Sequence, residues 1–450
     1  MTAYAARRTN LIAHMQTQGG GIAIVPTAHE AMRNNDAEYP YRHDSYFYYL
    51  SGFAEPEALI VLIAGADTGT SAKSILFCRE KNLEREIWEG FRYGPEAARD
   101  AFHFDAAFPI TDLDVEIPKL LADVPSLYYG VGRDAKLDAQ VQSWVGTVRR
   151  QERAGIAAPT LFRDLHPILN EMRLFKDAGE IASMKRAAEI SAGAHARAMR
   201  FSRPGMAEYQ IEAELLHEFR RHGSEAPAYT SIVATGSNAC VLHYRAGSSV
   251  LQDGDLVLID AGCEFDSYAS DITRTYPANG KFSAPQKELY EIVLAAQAAA
   301  IDAIKPGKRF VDPHHAAVRV LAQGMLDTGL LDQNKLGGID DVIANGDYRQ
   351  FYMHKTGHWL GMDVHDVGDY RETSGITATE KPSRILRPDM VLTVEPGIYV
   401  RPAAGVPEQY WNIGIRIEDD VIVTETGCVV ISHGAPKTVA EIETLMRASI

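Results

Sequence analysis

The stretch Asp255–Tyr276 reads DLVLIDAGCEFDSYASDITRTY, and the second half of the chain is organised around it. It opens on a β-branched apolar run that is typical of a buried strand and that ends at Asp260. The turn-forming residues Glu264–Ser267 precede a second strand, predicted to run back through Asp271. Hairpin pairing would place Asp260 beside Asp271, where two buried carboxylates need protonation, hydrogen bonds or a cation. On this stretch alone, a solvated hairpin with two surface aspartates is the alternative.

Length and charge limit the class of protein. With 450 residues the chain exceeds what one hydrophobic core usually holds, so two domains are expected. A hydrophobic content of 46% and a charged content of 23% are those of an ordinary folded protein. The net charge of −15 disfavours nucleic acid or an anionic membrane as the main partner and suits a site built from carboxylates.

The cysteines and the N-terminus predict the compartment. Four widely scattered cysteines without a CxxC pair indicate a reducing environment rather than a disulfide framework. The arginine pair Arg7-Arg8 is not followed by an apolar signal region, and no uninterrupted apolar run reaches the roughly 18 residues of a membrane span. A cytoplasmic protein without a membrane partner is therefore expected.

Hydrophobic periodicity predicts two parts of different character. The first part alternates helix-like and strand-like stretches, with a helix over 5–18 and strands over 22–25, 58–64, 74–77 and 127–131. The second part has helices from about 177 to 200 and over 207–221, 284–304 and 313–329, followed by strands over 391–394, 398–400, 413–417 and 421–423. Helices first and antiparallel-looking strands later indicate an α+β domain. The domains are predicted to be residues 1–172 and 173–450.

Three further candidate ligands follow the two aspartates, on or beside the predicted strands. They are His358, Glu395 at the end of VLTVE, and Glu418 in GIRIEDD. Four carboxylates and one neutral histidine carry a summed charge of −4, which two divalent cations would cancel. The oxygen-rich set favours a harder ion such as manganese over a structural zinc.

Two other histidine pairs are interpreted differently. His354 and His358 have the HxxxH spacing, but Lys355 stands where a zincin helix has glutamate, and Gly357 weakens a helix. A zinc-protease helix is therefore rejected, and His358 alone is assigned as a ligand. His314-His315 are adjacent on a predicted helix, where neighbouring side chains diverge, so they are predicted to be structural.

The order of motifs D…D…HxxGHxxGxxxH…TxEPG…IRIED resembles that of the metal-dependent "pita-bread" peptidases. This family includes methionine aminopeptidase, prolidase and Xaa-Pro aminopeptidase (aminopeptidase P). The stretches EYPYRHDSYFYYLSGFAEPEALIVLI and REIWEGFRYG resemble the N-terminal domain of aminopeptidase P in particular. The resemblance implies a pita-bread catalytic domain preceded by an α/β domain of the creatinase/prolidase type.

The resemblance also implies the roles of individual residues. The ligands of two divalent metal ions would be Asp260, Asp271, His358, Glu395 and Glu418, with Asp271 and Glu418 bridging. The histidines that contact substrate would be His243, His354 and His365, and Arg416 would orient a ligand carboxylate. The segment DYRETSGITATEKPSRIL after His365 is longer than the family's usual loop and is expected at the mouth of the site.

The expected reaction is release of the N-terminal residue from peptides with proline in the second position. The resemblance implies attack by a hydroxide that bridges two metal ions, expected to be Mn²⁺, with Glu395 as proton shuttle. His243 and His365 would support the developing oxyanion. Trp88 matches a tryptophan that reaches a neighbouring subunit's site in aminopeptidase P, so a homodimer or homotetramer is expected. The alternatives are a prolidase, which cleaves only Xaa-Pro dipeptides, and a non-catalytic interaction module.

Overall fold

The computed structural model describes residues 2–65, 72–372 and 381–448. The chain separates into two compact units, residues 1–172 and 173–450. In the part of the chain that is described, no helix combines the length and the apolar character needed to cross a bilayer.

Unit 1 contains a mixed six-stranded sheet in the order β6-β5-β4-β1-β7-β8. Its strands are β1 (Gly21–Pro26), β2 (Met32–Asn34), β3 (Ala37–Glu38), β4 (Leu59–Ala64), β5 (Lys73–Cys78), β6 (Ala106–Pro109), β7 (Ser126–Tyr129) and β8 (Leu161–Asp164). Its helices are α1 (Ala3–Thr17), α2 (Ser45–Ser51), α3 (Leu83–Glu89), α4 (Pro95–Phe102), α5 (Leu113–Leu121), α6 (Ala135–Arg149) and α7 (His166–Leu174), which continues two residues past the unit's end.

The core of unit 1 lies between the sheet and helices α5 and α6. Ile22, Val61 and Phe77 of the sheet belong to the same buried cluster as Val141 and Trp144 of α6. The aromatic run that precedes β4 forms helix α2, whose rings are mostly buried within the unit. The sheet with flanking helices agrees with the predicted α/β character of this part.

Unit 2 has long helices packed on small antiparallel sheets. Its helices are α8 (Ala178–Phe201), α9 (Glu208–Arg221), α10 (Ala284–Asp302), α11 (Asp312–Asp327), α12 (Gln333–Leu336), α13 (Ile339–Asn345) and α14 (Val439–Arg447). Its strands are β9 (Ala226–Pro227), β10 (Ile232–Thr235), β11 (Leu256–Asp260), β12 (Cys263–Phe265), β13 (Tyr268–Ala269), β14 (Thr273–Pro277), β15 (Val391–Val394), β16 (Gly397–Val400), β17 (Ile413–Arg416), β18 (Asp419–Val423) and β19 (Cys428–Val430).

Local signals explain why the long helices begin where they do. The side chain of Asp177 accepts from the amides of Gly179 and Glu180, and Glu180 accepts from the amide of Asp177, which closes a capping box at the start of α8. Small sheets in the orders β10-β11-β14 and β15-β18-β19 pack against the helices through one continuous apolar core. The α+β prediction is confirmed.

The predicted register of the acidic hairpin is wrong. Strand β11 pairs with β14 so that Asp260 lies opposite Thr273, not Asp271. The chain leaves this sheet after Asp260, and β12 pairs with β13 and β9 in a separate sheet. The crossing depends on Gly262, where a Cβ atom would lie 1.7 Å from the carbonyl oxygen of Ser270. The sequence prediction assumes one continuous hairpin without this crossing, and it therefore assigns the wrong partner to Asp260.

Candidate metal centre

The five predicted metal ligands all lie at or beside strand ends of unit 2. Asp260 ends β11, Asp271 precedes β14, Glu395 follows β15, Glu418 precedes β18, and His358 lies on the segment that precedes the β15 region. Strand ends are suitable because the backbone is held by the sheet while the side chain projects beyond it. The structure brings the five side chains into one cluster.

Three of the five side chains already offer atoms at ligand spacing. One atom each from Asp271, His358 and Glu418 lies within 4.8 Å of the other two. His358 Nε2 is 3.4 Å from Asp271 Oδ2 and 3.9 Å from Glu395 Oε1. His358 Nδ1 is 2.9 Å from the carbonyl oxygen of Trp359 and donates to it, which leaves Nε2 facing the carboxylates.

The other end of the cluster is built around Asp260. Arg416 Nη2 lies 2.5 Å from Asp260 Oδ2, and both groups are largely removed from solvent. The hydroxyl of Tyr229 lies 2.6 Å from Asp260 Oδ1 and 2.5 Å from Asp271 Oδ1. Tyr229 therefore joins the two aspartates that strand pairing does not join.

The carboxylates raise one another's pKa. Burial, and then the negative charges of Asp271, Glu395 and Asp260, raise the pKa of Glu418 well above its ordinary value. Burial likewise raises the pKa of Glu395 to about 7, against the opposing effect of His358 and Arg416. The raised pKa values show that several carboxylates are buried close together, so that each disfavours the ionised form of the others.

This donor set fits divalent cations. It combines carboxylate oxygens with one imidazole nitrogen, the ligand types preferred by ions such as manganese and zinc. A cation between Asp271, His358 and Glu418 would offset the repulsion between the buried carboxylates of Asp271 and Glu418. The negative charge of Asp271 and Glu395 also raises the pKa of His358 to about 9, although burial lowers it. The same negative charge would favour a cation at this position.

The three predicted substrate histidines border the cluster. His354 Nε2 is 2.8 Å from the hydroxyl of Tyr399, and its Nδ1 is 3.7 Å from Glu395 Oε2. The ring of His365 lies 4.0 Å from that of His358, centroid to centroid. Burial, and then the charge of Arg416, lowers the pKa of His354 to about 4, and burial, and then the neighbouring His358 and His243, lowers the pKa of His365. His243 itself is exposed.

Arg416 connects the histidines to the ligands. Its Nη1 is 3.1 Å from the hydroxyl of Tyr399, and its Nε is 3.1 Å from Thr273 Oγ1. Thr273 Oγ1 in turn donates to Glu418 Oε2 at 2.6 Å. One guanidinium thus touches Asp260 directly and reaches Glu418 through a hydroxyl.

Several supporting residues are absent from the sequence interpretation. They are Tyr229, Thr273, Tyr399 and Asp420, whose carboxylate accepts from the amide of Asp271 at 3.1 and 3.2 Å. Tyr399 and Asp420 stand next to recognised motifs, EPG and IRIED, and could have been found there. Tyr229 lies some thirty residues before Asp260 and carries no local signal.

The segment that carries His354 and His358 is not helical, in keeping with the rejection of a zincin helix. It touches the end of β15 backbone to backbone. The amide of Glu395 donates to the carbonyl of Thr356 at 2.8 Å, and the amide of Thr393 donates to the carbonyl of His358 at 3.0 Å. Between them, a Cβ atom at Gly357 would lie 2.1 Å from the carbonyl oxygen of Thr393.

Two other predicted features lie away from the cluster. His314 Nδ1 bonds Thr356 Oγ1 at 2.8 Å, which is a supporting contact. Trp88 is 85% exposed on helix α3 of unit 1. The loop predicted at the mouth of the site lies partly outside the described residues, because 373–380 are not among them.

Comparison with known proteins identifies the family. The model of metallopeptidase family M24 matches residues 182–425, and that of the aminopeptidase P N-terminal domain matches residues 4–128. The chain is 45% identical to the Xaa-Pro aminopeptidase of Escherichia coli K12 over 98% of its own length and 97% of that protein.

Solved structures agree. The aminopeptidase PepP of Pseudomonas aeruginosa superposes with a TM-score of 0.93 at 49% identity, covering 98% of this chain and 97% of that one. A zinc-substituted E. coli aminopeptidase P in complex with product matches with a TM-score of 0.93 at 44% identity, covering 99% and 97% of the two chains. The predictions of a pita-bread domain behind an α/β domain, and of a metalloaminopeptidase, are confirmed. The chain therefore belongs to metallopeptidase family M24 and carries the N-terminal domain of aminopeptidase P.

Proposed function

We propose that this protein is a dinuclear metalloaminopeptidase that releases the first residue from peptides with proline in the second position. The observation that carries the proposal is the cluster of Asp271, His358 and Glu418, flanked by Asp260 and Glu395, in a chain 45% identical to a Xaa-Pro aminopeptidase. The presence of all five ligand residues argues against the non-catalytic module.

We assign Asp260, Asp271, His358, Glu395 and Glu418 as the protein's ligands, with Asp271 and Glu418 serving both ions. Membership of a metallopeptidase family implies divalent metal ions. When bound, the ions would supply an activated water nucleophile and polarise the scissile carbonyl. The oxygen-rich donor set favours manganese, although a relative has been solved with zinc substituted.

The chain's own residues then handle protons and orientation. Glu395 accepts a proton from the attacking water and delivers it to the leaving proline nitrogen. His243 and His365, at the border of the cluster, donate to the oxygen of the tetrahedral intermediate. Arg416 holds the carboxylate of Asp260 at 2.5 Å in the orientation for its ligand role.

The substrate preference follows from proline chemistry. An Xaa-Pro bond has no N–H, and the ring fixes φ near −65°, so the chain bends in one defined way after the first residue. A site shaped for that bend discriminates against Xaa-Ala. The match to the aminopeptidase P N-terminal domain favours tripeptides and longer substrates over the dipeptides that a prolidase cleaves.

A kinetic comparison of Xaa-Pro, Xaa-Pro-Yaa, Xaa-Ala-Yaa and N-acetylated Xaa-Pro-Yaa tests this proposal. We expect the free tripeptide with proline to be cleaved fastest, the dipeptide more slowly and the acetylated peptide hardly at all. Cleavage of the dipeptide alone would identify a prolidase. Equal cleavage of the alanine tripeptide would refute the proline preference.

We propose further that the protein is a homodimer or homotetramer. Helix α3 and the residues after it carry an apolar patch that includes Leu83, Ile87, Trp88 and Phe91, each at least 65% exposed. A patch of this kind is typical of an interaction surface. Light scattering should give an oligomer for the wild type and a smaller species for Trp88→Asp. A matched change at Phe162, which is 47% exposed on strand β8, should leave the size unaltered.

We also propose the limits of the two domains and the compartment of the protein. We assign residues 1–172 as the aminopeptidase P N-terminal domain and 173–450 as the catalytic domain, in keeping with the two compact units. All four cysteines are free, which is consistent with a reducing cytoplasm. Peptides are the expected partners, and neither nucleic acid nor a membrane is expected.

A further inference from the structure

Glu208 is a buried acid outside the metal centre. It is the first residue of helix α9, and its side chain has no exposure to solvent. A carboxylate that is removed from water must be compensated by partners. The identity of those partners shows what Glu208 organises.

Four donors surround the carboxylate. Oε1 accepts from the amide of Thr235 and from Asn238 Nδ2, both at 2.9 Å. Oε2 accepts from the hydroxyl of Tyr244 at 2.9 Å and from the amide of Gly247 at 3.1 Å. Hydrogen bonds to an ionised acceptor are among the strongest in proteins. Three of the four donors come from the stretch 238–247, which contains His243.

The backbone reinforces the same attachment. The amide of Glu208 donates to the carbonyl of Ser249 at 3.0 Å, and that of Tyr209 donates to Gly247 at 3.1 Å. Asn238 Nδ2 also lies 3.2 Å from Ser249 Oγ. The loop around His243 is therefore fastened to the start of α9 by both main chain and side chain.

His243 itself is exposed, whereas its neighbours are held. Leu242 and Tyr244 pack against the small apolar cluster that contains Tyr399, whose hydroxyl meets His354 in the site. Tyr244, the next residue after His243, is the one whose hydroxyl reaches Glu208. The direction in which His243 leaves the backbone thus depends on where Tyr244 is anchored.

We infer that Glu208 is a positioning residue that holds His243 toward the substrate. The inference rests on the proposed function, in which His243 contacts the peptide during cleavage. None of the four donors to the Glu208 carboxylate belongs to the five assigned ligands. Three of its four hydrogen bonds go to the 238–247 loop and one goes to Thr235 of strand β10, and we expect its effect on the reaction to pass through the loop.

The test is a double-mutant cycle on the metal-loaded protein with an Xaa-Pro-Yaa tripeptide. Glu208→Gln keeps the shape but turns an amide toward the donors, and Tyr244→Phe removes one of the four bonds. We expect kcat/KM to fall roughly tenfold or more for Glu208→Gln and roughly threefold for Tyr244→Phe, with unchanged metal content. In a His243→Ala background, neither change should lower kcat/KM by more than about twofold, because residues that act through one another are not additive.

Glu180→Gln is the matched control. Glu180 is also buried and accepts from a tyrosine hydroxyl, that of Tyr268 at 2.9 Å, but lies at the start of α8. It should lower the melting temperature without changing kcat/KM. If Glu208→Gln does not fold, Tyr244→Phe carries the cycle.

The outcomes are distinct. Wild-type protein that fails to cleave the tripeptide counts against the proposed function. If the wild type is active, any of three results overturns the inference. They are full activity of Glu208→Gln, the same fold-loss for Glu208→Gln in the His243→Ala background, and an equal loss of activity in Glu180→Gln.

Discussion

The hydroxyl oxygen of Tyr229 lies 2.6 Å from the carboxylate of Asp260. It is also 2.5 Å from Asp271, so one phenol serves two carboxylates, one at the end of β11 and one in the segment that precedes β14. Burial, and then the charges of Asp260 and Asp271, raise the pKa of Tyr229 well above its ordinary value, so the hydroxyl remains a donor.

Tyr229→Phe is therefore expected to weaken metal binding. It removes only the oxygen that orients the two aspartates, and loss of such a partner typically costs roughly 10–100-fold in affinity. Calorimetric titration of the metal-free protein with Mn²⁺ measures the effect. Tyr290→Phe is the control, because its buried hydroxyl bonds the carbonyl of Lys437, away from the cluster. Equal affinity in Tyr229→Phe and wild type would contradict the expectation.

Asp271→Ala should nearly abolish both metal binding and peptidase activity. Asp271 is 5% exposed and is the acid that approaches His358 most closely. Its loss removes one of the two ligands assigned to both ions. Metal content per chain and tripeptide hydrolysis are the measurements, and chelation of the wild type should reproduce the loss, with Mn²⁺ restoring activity. Asp253→Ala, at an exposed residue near the start of the same hairpin, should retain both properties.

Asp366→Ala should destabilise the fold strongly. Its carboxylate lies 2.6 Å from Arg173 and 3.0 Å from Lys176, and all three side chains are 1% exposed. Removing it leaves two buried cations without this partner, a change that typically costs roughly 3–5 kcal/mol of unfolding free energy. Asp363, the other partner of Arg173, is 40% exposed. Denaturant unfolding should therefore show a loss below about 1 kcal/mol for Asp363→Ala.

His314 makes stability depend on pH. Burial, followed by the charges of Lys355 and His315, lowers its pKa from 6.5 to about 4. The unfolded chain then binds the proton more readily than the folded one, so the contribution of His314 is complete above pH 6.5 and is lost as pH falls toward 4. His314→Gln should lose less unfolding free energy between pH 7 and pH 4 than the wild type. The exposed neighbour supplies the control, His315→Gln, which should follow the wild type.

The sequence predicts the helices and strands of this molecule better than the contacts between them. Helix α8 begins with a capping box between Asp177 and Glu180, a signal written within four residues, and its predicted bounds agree closely with the structure. The predicted partner of Asp260 is wrong because the chain crosses between sheets at Gly262. This crossing depends on the close contact of Gly262 with Ser270, and the periodicity of apolar residues gives no information about that contact.

The same division applies to the site. The five ligand candidates are predicted because they lie in motifs on or beside the predicted strands and because the order of these motifs resembles that of a known peptidase family. Tyr229 and Glu208 were not predicted, since their importance comes from distances across the fold. A tyrosine before Asp260 and a glutamate at a helix start have no unusual sequence context.

Gly357 allows two backbone segments of the candidate metal centre to approach each other closely. It lies where the strand that leads to Glu395 and the segment that carries His358 touch through backbone hydrogen bonds, supported by one from the His358 amide to the hydroxyl of Thr393. Even an uncharged alanine would place its Cβ atom 2.1 Å from the carbonyl oxygen of Thr393 and so push the two segments apart. The separation of His358 from Glu395 is therefore set by direct contact between two backbone segments, and substitution of Gly357 would change that separation.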